Sequence, residues 1–422
     1  MKKDFIIKRD TYLNQLIDHR HNGLVKIITG IRRSGKSFLL FRLFKDYLIS
    51  IGVAADHIIE IALDNRRWQS LRDPDACIAY VDDKLKDSSS MYYLLIDEVQ
   101  YMGDFEDVLN TFLHTPNLDT YVTGSNSRFL ATDVITEFRG RGDEIHINPL
   151  GFADYCSIYP DKPWDEAWNE YSTYGGLPYV TLLQSGKERV GYLKRLFREV
   201  YIRDILEHNN IRGSQQMERL IDVVASAIGS LTNPQRIENT FRSNGLTLAA
   251  ATAKQYLDYF QEAYLIEKAD RYDVKGRRYI GTPQKYYFTD IGLRNARLNF
   301  RQQEENHIME NVIYNELKLR GYSVDVGMVE INERQQDARY RKVLTEIDFV
   351  ANMGSKRYYV QSAFSLPNEQ KTVMEERPLR NISDSFKKIV VVRENIMLRR
   401  NEEGITTMGL RQFLLDCNSL EL

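Results

Sequence analysis

Over the first 150 positions, apolar residues gather into short unbroken runs separated by stretches of helical periodicity. Residues 24–29, 57–63, 92–96 and 120–123 read as strands covered on both faces, since a strand with one wet face alternates instead. Helices are predicted at 38–44, at 73–86 with Asp73 as N-cap and Pro74 in the first turn, and at 105–114. A polar, helix-compatible lead-in covers 8–22, and 144–147 adds a last short strand. This alternation predicts an α/β fold with a parallel sheet over roughly residues 20–150, whose ligand belongs at the carboxyl ends of the strands.

Beyond Pro149 the pattern changes. Pro160, Pro163, Gly175, Gly176 and Pro178 punctuate a mostly helical stretch, with long helices predicted at 188–208 and 215–231. Helices at 233–241 and 247–263, the second capped by Thr247, lead into strands 264–273 and 278–289 around Lys275, Gly276 and Arg277. Helix, turn, helix, hairpin is the order of a winged helix. A helix at 303–320, stopped by Gly321, opens the final segment; strands at 322–326, 345–351, 357–363 and 388–392 and a helix near 410–415 complete an α/β domain. The expected division is therefore 1–150, 151–215 as a helical linker or lid, 216–300 as the winged helix and 301–422 as the last domain.

Composition narrows the class. In 422 residues, 43% hydrophobic and 27% charged side chains fit a soluble globular protein. With 57 basic against 59 acidic residues the net charge is -2, so no global basic surface advertises nucleic acid, and only a local patch could serve. Cys77, Cys156 and Cys417 are widely spaced, which supports neither a disulfide framework nor a zinc site and fits a reducing cytoplasm. No apolar stretch approaches the 18 or so residues of a membrane span, and the N-terminus lacks a signal-peptide core, so the expectation is a cytoplasmic protein with no membrane partner.

The loop after the first strand carries the strongest chemistry. Gly30-Ile31-Arg32-Arg33-Ser34-Gly35-Lys36-Ser37 matches GxxxxGK(S/T), the phosphate-cradling P-loop, in the strand-loop-helix context it requires. The glycines let backbone N–H groups face a phosphate at a helix N-terminus. Lys36 would reach the β- and γ-phosphates and Ser37 would ligate Mg²⁺. Nucleotide contacts are expected from Gly30 through Phe38. Arg32 and Arg33 remain open between nucleotide and neighbouring elements.

About 60 residues on, the run at 92–96 ends in Asp97 and Glu98. A strand-end Asp can hold the Mg²⁺ shell and the adjacent Glu can polarise water. The next strand ends in Thr123-Gly124-Ser125-Asn126, where Ser125 or Asn126 could orient the water or sense the γ-phosphate, or simply cap a helix. Arg139 and Arg141, on a Gly-flanked loop read as lying past the last core strand, are candidate cations for the developing phosphoryl charge, Arg141 ahead of Arg139.

The motifs GIRRSGKS, YYLLIDEVQ, TGSNS, FRGRGDEIHINPLGFADY and GGLPYV, in this order, resemble the bacterial and archaeal AAA-type ATPases that carry a winged helix and a restriction-endonuclease-like C-terminal domain. The resemblance covers nearly all of the chain and is most specific in the first 180 residues. It implies an AAA+ P-loop core using ATP and Mg²⁺, with Lys36 and Ser37 at the nucleotide, Asp97 and Glu98 in the Walker B role, Ser125 or Asn126 as sensor and Arg141 as an arginine finger, in cis or from a neighbour in a homo-oligomer.

In the expected winged helix, residues 247–263 carry one Lys against Asp258 and Glu262, while the hairpin offers Arg271, Lys275, Arg277, Arg278 and Lys285. DNA contact and protein docking both stay open. Nucleases of the PD-(D/E)xK type suggest Glu310 on a helix, Asp348 on a strand and Gln361 on the next as metal ligands, but Ala363 occupies the lysine position, and nothing in the sequence points to Lys356 or Lys371 as its replacement. That favours a degenerate nuclease-like domain used for binding or assembly. The function expected is Mg²⁺-dependent ATP hydrolysis that rearranges the later domains; the alternatives are a nucleotide-operated switch or scaffold with negligible turnover, and an ATP-regulated DNA-processing nuclease.

Overall fold

Five strands, β1 (Val25–Thr29), β2 (Ile58–Ala62), β3 (Tyr92–Asp97), β4 (Leu118–Thr123) and β5 (Gly142–His146), pair in parallel in the order β2-β3-β4-β1-β5. They belong to a computed structural model that describes residues 6–124, 141–209, 211, 215–301, 304–334 and 340–422. The chain forms two compact units, residues 1–149 with 262–264, and residues 150–261 with 265–422.

In the first unit β1, β3 and β4 are buried at every position, which is why their apolar runs are unbroken. β4 starts two residues before its expected edge because Asp119 is neutralised in the interior by Lys26 of β1 and accepts from the Tyr121 hydroxyl at 2.9 Å. A charge paired inside the sheet reads as loop from composition alone. β4 follows β3 in sequence yet lies between β3 and β1. The loop after β1 and the carboxylates ending β3 are thus two strand steps apart, about 10 Å, with the end of β4 between them. The helix leaving the loop runs through Lys36–Phe38, a π-helical Leu39–Phe44 and Lys45–Ser50.

In the second unit Gly186–Arg195, Leu196–Ile202 and Arg203–His208 follow one another, while the next helix, Gln215–Ser226, stops short of its expected end at 231. Pro234–Ser243 is capped by Asn233, whose side chain accepts from Arg236 N–H. The helix expected to begin at Thr247 is Ala250–Glu262, and the Ala250 N–H donates at 3.1 Å to the Glu238 carboxylate of the preceding helix. A cap supplied by another element leaves no local signal.

β6 (Ile266–Asp273) and β7 (Arg278–Phe288) form the expected hairpin, but not as a free-standing wing. β6 pairs in parallel with β8 (Ser323–Arg334), so the hairpin is the edge of an eight-stranded sheet. The others are β9 (Tyr340–Met353), β10 (Lys356–Ala363), β11 (Lys387–Val392), β12 (Arg399–Arg400) and β13 (Ile405–Gly409), in the order β12-β13-β11-β10-β9-β8-β6-β7. Alternate side chains serve its two faces. Phe349, Tyr358 and Val391 pack with Ile313 and Leu317 of the helix Glu305–Leu319, and Val350, Tyr359 and Val390 with Leu379 of the helix Glu369–Arg380.

Candidate functional site

The chain leaves β1 through Gly30 (φ 131°), Arg33 (φ 67°) and Gly35 (φ 100°), and the helix begins at Lys36. A Cβ on Gly30 would lie 2.2 Å from the Ile147 carbonyl oxygen, so this position demands glycine for space as well as angle. Lys36 is buried and donates to the carbonyl oxygens of Gly30 at 2.9 Å and Ile31 at 3.2 Å. Burial pushes its pKa down to about 8, against the pull of Glu98 and Asp97. The Ser34 hydroxyl, on a residue 1% exposed, has no hydrogen-bond partner. An orphaned hydroxyl and an ammonium folded onto its own loop both lack an anionic oxygen, and a phosphate group would complete both. Ile31 is buried and contributes only backbone, whereas the Phe38 side chain is exposed.

At the end of β3, Asp97 Oδ1 accepts from Ser37 Oγ at 2.9 Å and also from Thr123 Oγ1, and Thr123 Oγ1 in turn accepts the Glu98 N–H at 3.0 Å. Burial raises the Asp97 pKa above its ordinary value, opposed by the two hydroxyls. Glu98 sits at φ 53°, a left-handed conformation costly for a non-glycine residue and typical of functional sites, and its carboxylate accepts from the Gln100 side-chain amide. Lys36, Ser37, Asp97 and Glu98 therefore form one cluster. Thr123, last residue of β4, joins its two halves. The sequence points to Ser125 and Asn126 as the polar groups at this strand end and not to Thr123, whose one signal is a hydroxyl closing the strand between loop and carboxylates. Ser125, Asn126 and Arg139 lie outside the described residues.

Arg141 does not join the cluster. Rather than lying past the last core strand it immediately precedes β5, and its carbonyl accepts the Val25 N–H at the opposite end of β1 from the P-loop. Five residues of strand, about 16 Å, separate the two ends. Its exposed guanidinium reaches Asn110 Oδ1 at 3.4 Å.

In the second unit Glu310, Asp348 and Gln361 come together around a residue read as part of the hairpin's basic surface. Lys285 Nζ, with its side chain 3% exposed, lies 2.8 Å from Glu310 Oε1, 2.6 Å from Glu346 Oε1 and 3.3 Å from Asp348 Oδ1. Tyr287 Oη donates to Glu310 at 2.6 Å, and the Gln361 side-chain oxygen accepts the Asp348 N–H at 3.3 Å. One ammonium cannot neutralise three carboxylates. The three hold Lys285 protonated well above its ordinary range despite its burial, while desolvation pushes Glu310 up to about 7. Lys356 and Lys371 instead pair with Glu421 and Glu375 at the surface, and Ala363 is buried. Among the described residues no group of three or more His, Cys, Asp or Glu side chains is placed to hold a metal ion. Arg271 is also buried, which leaves Lys275, Arg277 and Arg278 as the exposed cations of the hairpin tip.

A family model described as an AAA domain matches residues 22–156, and a domain of unknown function (DUF8612) matches 165–304; neither description names a winged helix or a nuclease. An uncharacterized protein of Haemophilus influenzae is 32% identical over 391 residues, 92% of this chain and 93% of its own length. One from Methanocaldococcus jannaschii is 24% identical over 419 residues, 96% and 87% of the two chains. Among solved structures, a Walker-type ATPase of Pyrococcus abyssi aligns at 16% identity and a TM-score of 0.49, over 69% of this chain and 96% of its own. Among the described residues no helix is long and apolar enough to cross a membrane.

Proposed function

Because the chain belongs to the family of the Haemophilus influenzae protein and carries an AAA domain at residues 22–156, we propose that it binds ATP with Mg²⁺ at its P-loop and hydrolyses it. One observation carries this reading. Lys36 and Ser37 from the loop after β1 meet Asp97 and Glu98 from β3 through shared hydroxyl contacts, beside an orphaned Ser34 hydroxyl. Lys36 binds the terminal phosphates, the loop amides and Ser34 cradle them, and Glu98 takes the proton of the attacking water. Mg²⁺ would be held by Ser37 and the Asp97 side of the cluster and would neutralise phosphate charge. Arg141, at the far end of its own β1, serves as a finger only in a neighbouring subunit, so the reading includes a homo-oligomer.

The second unit reads out the nucleotide state and meets a partner. With Lys285 and Arg271 buried, its hairpin is poor in the phosphate-neutralising charge that DNA needs, which favours a protein partner. The lysine among three carboxylates supports an ion-paired core in place of a nuclease centre. ATPase turnover and ATP binding test the core claim: Lys36→Ala loses binding, and Glu98→Gln keeps binding while losing turnover. Equal hydrolysis by wild type and both variants would sink it. The Gln100 amide on the Glu98 carboxylate favours a second reading, a switch that holds ATP until this contact breaks. In that case Gln100→Ala raises turnover.

A further inference from the structure

Tyr264 occupies a backbone position that suits glycine. It follows the helix Ala250–Glu262 with φ 53°, and across it the Leu265 N–H donates to the Phe260 carbonyl at 2.9 Å. That is the left-handed closure of a helix end, where a residue with a Cβ is strained and glycine is the usual occupant. A tyrosine in such a conformation needs a contact of its ring to offset the strain.

The ring lies against His146, the last residue of β5, with centroids 4.8 Å apart. His146 Nδ1 is 2.8 Å from Thr29 Oγ1, which donates to Glu144 Oε1 at 2.8 Å. Because the single hydroxyl proton goes to Glu144, Nδ1 carries the proton that it shares with Thr29. The three side chains stand on one face of the sheet, since β1 and β5 pair Thr29 with His146 and Ile27 with Glu144. Thr29 is buried, and the next residue is Gly30, where the P-loop begins. Residues 262–264 fold with the first unit, while the chain on both sides of them belongs to the second. Leu265 accepts the Thr289 N–H at 3.2 Å, just past β7. A shift at the start of the P-loop therefore reaches, through Thr29, His146 and Tyr264, the backbone from which β6 starts.

We propose that Tyr264 is a positioning residue that couples occupancy of the P-loop to the second unit through His146 and Thr29. The proposal rests on the ATP site above, and its test separates the two. Calorimetry measures binding of a non-hydrolysable ATP analogue to wild type, Tyr264→Gly, Tyr264→Phe and His146→Phe, and hydrogen exchange of peptides from β6 and β7 is followed with and without it. In wild type the analogue changes exchange in β6 and β7 on the order of 5-fold or more. Tyr264→Gly suits the backbone and removes the ring; His146→Phe keeps a ring and removes the bond to Thr29. Both bind the analogue as wild type does and lose the change in exchange, whereas Tyr264→Phe retains it. A ring needed only for packing would lower the melting temperature of Tyr264→Gly and leave the change in exchange intact. That result, a wild type that binds the analogue without altering β6 and β7, or losses of affinity in step with losses of response would each overturn it. Wild type that does not bind the analogue overturns the ATP site itself.

Discussion

Replacing Lys285 with Met tests the second unit's charge arrangement. The change removes an ammonium within 3.3 Å of three carboxylates and keeps most of the volume. At an effective dielectric near 20 each contact is worth roughly 4 kcal/mol before desolvation. Glu346, with its side chain 30% exposed, is screened and counts for less, and desolvating the ammonium offsets several kcal/mol of the rest. The net loss expected is about 3–5 kcal/mol, as when one partner of a buried ion pair is removed. The sign with pH follows from the carboxylates. In the wild type Glu310 titrates near 7 in the folded state against an ordinary 4.5, so the folded state holds more protons between these values and stability falls as pH rises through that window. Without Lys285 the carboxylates hold protons to still higher pH, so Lys285→Met is worse at pH 8 than at pH 5. Urea unfolding followed by tryptophan fluorescence in a Trp68→Phe background reports this unit alone, because Trp164 and Trp168 pack in the core that includes Ile313 and Tyr314 of the Glu310 helix. Adding Glu310→Gln should recover about 1–2 kcal/mol by removing an unpaired buried charge. A loss below about 1 kcal/mol, or a larger loss at pH 5 than at pH 8, would refute the argument.

Thr123→Val removes the hydroxyl shared by Asp97 and the Glu98 N–H, so turnover should drop about 10- to 100-fold with ATP affinity nearly kept; equal loss in both would make it a folding residue. Free Lys36 titrates near 8 and phosphate raises it, so ATP binding takes up a proton near and above that pH and affinity falls as pH rises past about 8; calorimetry in two buffers of different ionisation heat reads the uptake. Arg141→Ala should lose turnover but not binding, and mixing it with Lys36→Ala subunits should restore activity, which a residue acting within its own subunit cannot do. Gly175→Ala should destabilise the fold by about 2 kcal/mol or more, because φ is 75° and the new Cβ would lie 2.3 Å from a carboxylate oxygen of buried Asp290; unchanged melting would count against that contact.

The first unit was legible because β1, β3 and β4 are buried on both faces, and Asp97-Glu98 stood out at the end of such a run. Its hidden features are pairings. Lys26 with Asp119 inside the sheet shortened the apparent β4, and Glu238 capping Ala250 moved a helix start by three residues. The second unit resisted for the same reason on a larger scale. Lys285 follows the cations Lys275, Arg277 and Arg278 on the same hairpin in sequence, and nothing local says that it turns inward toward carboxylates 25, 61 and 63 positions away. A hairpin with its own turn reads as an independent wing. Whether its first strand, β6, finds a partner in β8 some 50 residues later is a matter of long-range pairing, which periodicity does not encode.

The β6–β8 pairing bears on where this protein can be cut. The DUF8612 match stops at residue 304, between β7 and β8, and so runs through the middle of a hydrogen-bonded sheet. A fragment beginning near residue 301 would leave the edge of β8 open to other chains and strand three carboxylates without Lys285. One ending there would keep the lysine and lose the carboxylates. A portable piece of the second unit has to begin upstream of β6 and run past β13, because Phe413, Leu414 and Leu420 pack in the same core as the sheet, and a family boundary drawn from sequence similarity divides what the fold holds as one body.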